Sequence, residues 1–157
     1  MATTNTDKTF DCVLVGDRHH GLTEGVRGLL ETMFKTVVMV ADVPSLQATA
    51  GRLHPELAVV DISLSRDGSL HWLERLRQCC PETKLIVLSF HDEPSARQAA
   101  LESGADGFVL TRAIVTELLP AIEAVLADGT ARNMLHRDLR REMTMRISSP
   151  RRGGSND

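Results

Sequence analysis

Leu57-Ala58-Val59-Val60-Asp61 is four apolar residues closed by a carboxylate, with a glycine-containing turn just beyond it. A short run without polar alternation reads as a strand buried on both faces of a parallel sheet. Such sheets hold ligands in the crevice beyond the carboxyl ends of their strands. Asp61 stands at that end. A buried carboxylate is costly to keep charged unless a partner or a reaction uses it, so Asp61 is the first candidate functional residue.

Runs of the same kind recur on both sides. Cys12–Val15, Val37–Val40, Leu85–Leu88 and Phe108–Leu110 are further predicted strands. Between them lie helix-like stretches. Residues 20–33 place Leu22, Val26, Leu29, Leu30 and Met33 at helical spacing. Pro44 suits the first turn of a second helix. Leu70–Cys79 is a third, and a fourth runs from Pro94 to Gly104. Residues 113–127 form a last amphipathic helix, with Pro120 inside it predicting a kink or a late start. Strands alternating with helices give a parallel sheet covered on both faces. The expected fold is α/β, a flavodoxin-like (βα)5 doubly wound sheet of strand order 2-1-3-4-5.

That architecture gathers residues distant in sequence. Asp17 follows the first strand, Asp61 ends the third, Ser89 ends the fourth and Thr111 ends the fifth. All should meet at one edge. Polar residues often follow strands, so any one of these says little. Two carboxylates and a hydroxyl at adjacent ends say more.

The length of 157 residues suits one domain with a sizeable core. Residues 1–9 are expected to be disordered, 10–130 to form the folded domain, 131–147 a linker-like amphipathic helix with Leu135, Leu139 and Met143 on one stripe, and 148–157 a disordered tail. No apolar stretch approaches a membrane span, and the polar start, Met1 to Lys8, lacks the apolar core of a secretory signal. A cytoplasmic protein with no membrane partner is expected. Cys12, Cys79 and Cys80 show no CxxC or zinc spacing and read as reduced structural thiols. Residues 1–130 carry 11 basic and 18 acidic side chains, whereas 131–157 carry 7 and 3. An acidic body with a basic tail is not the profile of a dedicated DNA-binding domain.

Four segments carry a family resemblance: Val13-Leu14-Val15-Gly16-Asp17-Arg18-His19, Pro55 to Leu64 around Asp61, Leu85-Ile86-Val87-Leu88-Ser89, and Glu102-Ser103-Gly104-Ala105-Asp106-Gly107-Phe108-Val109-Leu110. Together and in this order they resemble the receiver domain of bacterial two-component response regulators, in the NarL/FixJ (LuxR-type) flavour. The resemblance implies that 10–130 is a receiver, that Asp61 is the phosphoacceptor for a histidine kinase, and that Ser89 and Phe108 are its switch residues. It also implies Mg²⁺ held by Asp17, Asp61 and the backbone carbonyl of Ser63.

Three positions depart from the family pattern. Arg18 replaces the second acid of the first loop, Thr111 stands at the lysine position, and Ser65 stands where a proline is usual. Mg²⁺ seeks hard oxygen ligands. Arg18 removes one and adds a fixed cation, which the sequence suggests would pair with Asp61 or Asp17. Phosphoryl transfer depends on positioning and charge stabilisation, so losing both groups should slow it. The expectation is an atypical, degenerate receiver: a signalling and protein–protein interaction module with impaired or absent aspartyl phosphorylation. The alternative is an ordinary phosphorelay receiver phosphorylated on Asp61.

Expected partners are a histidine kinase or another signalling protein, or a second copy through the fourth helix, fifth strand and fifth helix or through the tail helix. LuxR-type regulators carry a helix-turn-helix after the receiver. The residues after 130 are too few for one, so specific DNA binding is not expected. No Gly-rich phosphate loop or nucleophile–base pair supports an enzyme of this fold. His19-His20 beside Asp17 is not expected to bind metal, His91 and Asp92 read as solvated loop residues, and Trp72 as helix packing.

Overall fold

The computed structural model describes residues 10–127, and for residues 20–23 the backbone alone. The expected N-terminal segment 1–9, the last residues of the 10–130 domain, the 131–147 helix and the 148–157 tail lie outside the described residues.

Among the described residues five strands alternate with five α-helices. They are β1 (Phe10–Gly16), α1 (His20–Leu30), β2 (Phe34–Val40), α2 (Val43–Leu53), β3 (Leu57–Asp61), α3 (His71–Cys79), β4 (Lys84–Ser89), α4 (Pro94–Glu102) and β5 (Gly107–Leu110). The last helix, α5, runs over 114–127 and passes through Pro120 without interruption, so the late start is not observed. The strands form one parallel sheet in the order β2-β1-β3-β4-β5.

Strand alternation sorts the apolar side chains onto two faces. Leu14, Ala58, Val60, Leu85 and Val87 pack with Leu46 and Ala50 of α2, Trp72, Leu73 and Leu76 of α3, and Ala100 of α4. Val13, Val15, Leu57, Val59, Ile86, Leu88 and Val109 pack with Val26 and Leu30 of α1 and Leu118, Ile122 and Leu126 of α5. Because β3 sits centrally, all five of its residues are buried. Each fully buried Val, Leu or Ile side chain contributes about 1.5–3 kcal/mol by leaving water, which is why the strand carrying Asp61 is so firmly placed.

The other edge of the sheet is fastened by side chains. Arg77 of α3 donates from Nε and Nη2 to the Gly104 carbonyl, from Nη1 to the Thr83 carbonyl at 2.8 Å, and from Nη2 to Asp106. Asp106 Oδ2 also accepts the Leu85 backbone N–H at 2.9 Å. Gly104 has φ +112°, and a Cβ there would come within 3.4 Å of the Arg77 side chain. The Gly-Ala-Asp-Gly motif thus docks the amino end of β5 beside β4.

Candidate functional site

The register fixes the carboxyl edge. Gly16 pairs with Val60, Asp61 with Leu88, and Ser89 with Leu110. Asp17, Asp61, Ser89 and Thr111 therefore stand at or just past the ends of four neighbouring strands, with about 4.8 Å between adjacent strands. All four are buried; among the described residues only Thr83 joins them as a buried polar or charged side chain. The sequence-based convergence is present.

Asp61 has no solvent exposure. The chain leaves β3 straight into a 3₁₀ turn, Ile62–Leu64, which Asp61 caps. Its Oδ1 accepts the Ser63 backbone N–H at 2.8 Å and the Ser63 hydroxyl at 2.6 Å. Its Oδ2 is buried and accepts nothing. The turn is held close by Gly16, where a Cβ would meet Leu64 at 3.0 Å and Val60 at 3.3 Å. Any side chain at 16 would push the turn, and with it Ser63, away from Asp61.

The neighbours are arranged differently. Asp17 Oδ1 accepts the His19 backbone N–H at 2.9 Å. Ser89 Oγ is engaged both ways with the His91 backbone, accepting from N–H and donating to the carbonyl at 3.1 Å each. The Thr111 hydroxyl is buried with no hydrogen-bond partner. Phe108 is half-buried, with the Arg97 guanidinium 5.6 Å from its ring centroid, a cation–π distance. His19 and Phe90 meet edge to face at 6.4 Å between centroids. They come from the loops after β1 and β4, the strands flanking β3, so their contact spans the end of β3 that carries Asp61.

Arg18 does not go where its sequence position suggests. It forms no ion pair with Asp61. Its side chain lines a separate pocket with Ala41–Pro44 and Leu64–Arg66, where its Nε is buried without an acceptor. The loop after β1 turns at Arg18, and this carries the guanidinium toward the β2–α2 connection. Arg112 is no substitute at the lysine position. It is exposed and reaches Asp92 at 3.4 Å. Thr111–Ala113 form a 3₁₀ turn that buries Thr111 and turns Arg112 outward.

Among the described residues no three His, Cys, Asp or Glu side chains cluster as a metal site. A divalent ion at this edge would rest on two carboxylates, Asp17 and Asp61, and on the Ser63 carbonyl, with water completing the shell. The buried, unpartnered Asp61 Oδ2 is the opening in that set. The remaining sequence readings sort simply. His91 and Asp92 are exposed, and Trp72 is buried in the α3 core. Cys12, Cys79 and Cys80 are free thiols, burial pushing that of Cys80 up to about 11. Sequence reasoning missed Phe90 and Arg66. An exposed aromatic directly after Ser89 was the available signal for the first; the second had none.

Known proteins place this geometry in a family. The model of the response regulator receiver domain matches residues 13–123. A Pseudomonas aeruginosa PAO1 protein assigned as a transcriptional regulator is 36% identical over 117 residues, covering 73% of this chain and 56% of the relative. The nitrate/nitrite response regulator NarP of Escherichia coli K12 is 31% identical over 114 residues, covering 71% and 53%. A LuxR-family two-component response regulator from Aurantimonas sp. SI85-9A1 superposes with a TM-score of 0.70 at 28% identity, covering 77% of this chain and 87% of that structure. The chain spans about half the length of the curated relatives it matches. With the sheet order, the buried strand-end carboxylate and the family match in agreement, the chain belongs to the response regulator receiver family, with relatives of the NarL/LuxR type.

Proposed function

We propose that this receiver works as a protein–protein signalling module in which Mg²⁺-dependent phosphorylation of Asp61 is strongly slowed. One observation carries the reading: the carboxyl edge brings Asp61 and Asp17 together but holds no cationic side chain at the lysine position, where Thr111 presents a buried hydroxyl. With Arg18 in place of an acid, a metal ion would also lack one of its carboxylates. Mg²⁺, when bound by Asp17, Asp61 and the Ser63 carbonyl, would supply charge stabilisation for the incoming phosphoryl oxygens. The chain's own residues supply the nucleophile, through Asp61 Oδ2, and its orientation, through the Ser63 clamp on Oδ1.

State would be read out through Ser89 and Phe108 to the face of α4, β5 and α5. Leu101 of α4 and Val115 of α5 are exposed apolar side chains on those helices. A histidine kinase, another signalling protein or a second copy would dock there, or through the 131–147 segment. Light scattering on the full chain and on a chain ending at 130 separates the two routes to a dimer. Specific DNA contact is no part of this reading, nor is enzymatic turnover.

A second reading has its own observation. Because Arg18 does not pair with Asp61, Oδ2 remains unpartnered, buried beneath the site but free of any competing donor, as an ordinary phosphorelay receiver requires. Incubation with acetyl phosphate and Mg²⁺, read by intact mass, decides. The slowed receiver gives a minor adduct or none within an hour, whereas near-complete addition of one phosphoryl group at Asp61 establishes the second reading.

A further inference from the structure

The pocket that takes Arg18 away from the carboxyl edge has the composition of a ligand site. Its volume is about 330 Å³, at the small end of the range for sites that hold small molecules. It lies between the loop after β1, the β2–α2 connection and the turn after β3. Arg18, Arg66 and Ser65 supply the polar lining together with Asp42, and Ala41, Val43, Pro44 and Leu64 the apolar part.

Its charge is unbalanced. Two guanidinium groups line it against one carboxylate, and among the described residues neither arginine forms an ion pair. Asp42 is committed elsewhere. It caps α2, its Oδ1 accepting the Ser45 N–H at 2.7 Å, and this bond holds its carboxyl below the ordinary range. Arg18 Nε is buried with nothing to donate to. Arg18 is only partly buried, so it is this one N–H, not the whole guanidinium, that lies out of water unpaired, which is unfavourable. An oxyanion drawn to the two guanidinium groups would balance the charge of the pocket. Planar guanidinium groups match carboxylate and phosphate oxygens in pairs. The apolar wall beside them would hold the small body attached to that oxyanion.

We propose that this pocket binds a small organic oxyanion, a carboxylate or phosphate monoester on a compact apolar body, through Arg18 and Arg66. The site adjoins the carboxyl edge at two points. Arg18 follows Asp17 directly, and Leu64 is both a wall of the pocket and the residue packed over Gly16 at the end of the Asp61 turn. Occupancy is thus an input to the same edge that does not require phosphoryl transfer, and the proposal stands whether or not Asp61 is phosphorylated.

The test is a titration of the full ¹⁵N-labelled chain with phenyl phosphate, followed by amide NMR, with benzoate and inorganic phosphate in parallel. Saturable shifts at residues 18, 41–44 and 64–66, with a submillimolar Kd for phenyl phosphate or benzoate, are expected. The stronger of the two identifies the head group, and weaker binding of inorganic phosphate shows the apolar wall at work. Arg18→Gln and Arg66→Gln should each weaken binding about tenfold. Arg52→Gln, an exposed arginine at the far end of α2, should leave it unchanged. Arg66 is itself exposed, so its variant retains the fold and serves even if Arg18→Gln does not. Shifts confined to the Arg-rich residues 131–157, or no saturation by about 10 mM, would overturn the proposal.

Discussion

Asp106 and Asp61 are carboxylates at opposite ends of the same sheet, and they are used in opposite ways. Asp106, before β5, takes the Arg77 guanidinium and the Leu85 N–H on one oxygen. Asp61, at the end of β3, has one oxygen clamped by Ser63 and the other buried with no donor. A carboxylate consumed by local bonds serves structure. One whose second oxygen is kept out of water and left open is held at a cost that folding alone does not require. The amino edge is closed chemically, and the carboxyl edge is prepared for something else.

The sharpest way to break that contrast is at the closed end. Arg77→Ala removes the guanidinium that joins α3, the Thr83 turn and the Gly104–Asp106 motif. It leaves the part-buried Asp106 carboxylate with the Leu85 N–H but no cation, and removes the Arg77 donor from the Gly104, Thr83 and Pro81 carbonyls. We expect a loss of about 2–3 kcal/mol in urea unfolding. A change below about 0.5 kcal/mol would show that the edge is not fastened there.

At the open end, the missing charges can be put back. Arg18→Asp combined with Thr111→Lys restores the second acid and the lysine, and should raise the rate of acetyl phosphate labelling in Mg²⁺ by about 100-fold. Intact-mass time courses measure it, and unchanged rates would mean that these two positions are not what limits Asp61.

The two carboxylates should then respond with opposite sign to loss of charge. Asp61→Asn keeps an acceptor for Ser63 and removes a buried charge, so stability should hold or rise by about 1 kcal/mol while the adduct disappears. Asp106→Asn weakens a charge-assisted bond to Arg77 and should cost about 1 kcal/mol. Thermal or chemical unfolding of the pair gives the comparison directly. The smallest effect is expected over the site. Phe90→Ala removes the ring that meets His19 across β3, and labelling of Asp61 should quicken only a few-fold, since uncovering the carboxylate supplies no charge.

The strands were legible because burial on both faces leaves unbroken apolar runs, and β3 was read residue for residue. Ends were less so. β2 lies at the sheet edge, so Lys35 and Thr36 are exposed and interrupt the pattern after the buried Phe34. Pro120 suggested a kink or a late start, yet α5 already starts at 114 and continues through it. The strand-end set of Asp17, Asp61, Ser89 and Thr111 followed from the alternation of strands and helices alone. The direction of Arg18 did not. A loop side chain goes where the neighbouring loops leave space, and that space is formed by residues 41–44 and 64–66, far from it in sequence. Asp106 shows the same limit. Its place in a motif was visible, but its partners are 21 and 29 residues away.

The central claim is that Asp61 is a correctly placed nucleophile lacking the charges that phosphoryl transfer needs. The most direct measurement is the intact mass of the full chain during incubation with acetyl phosphate and Mg²⁺, beside Asp61→Asn as the blank. The account predicts a slow, minor adduct absent from the blank. Rapid and near-complete addition of one phosphoryl group to the unmodified chain would contradict it.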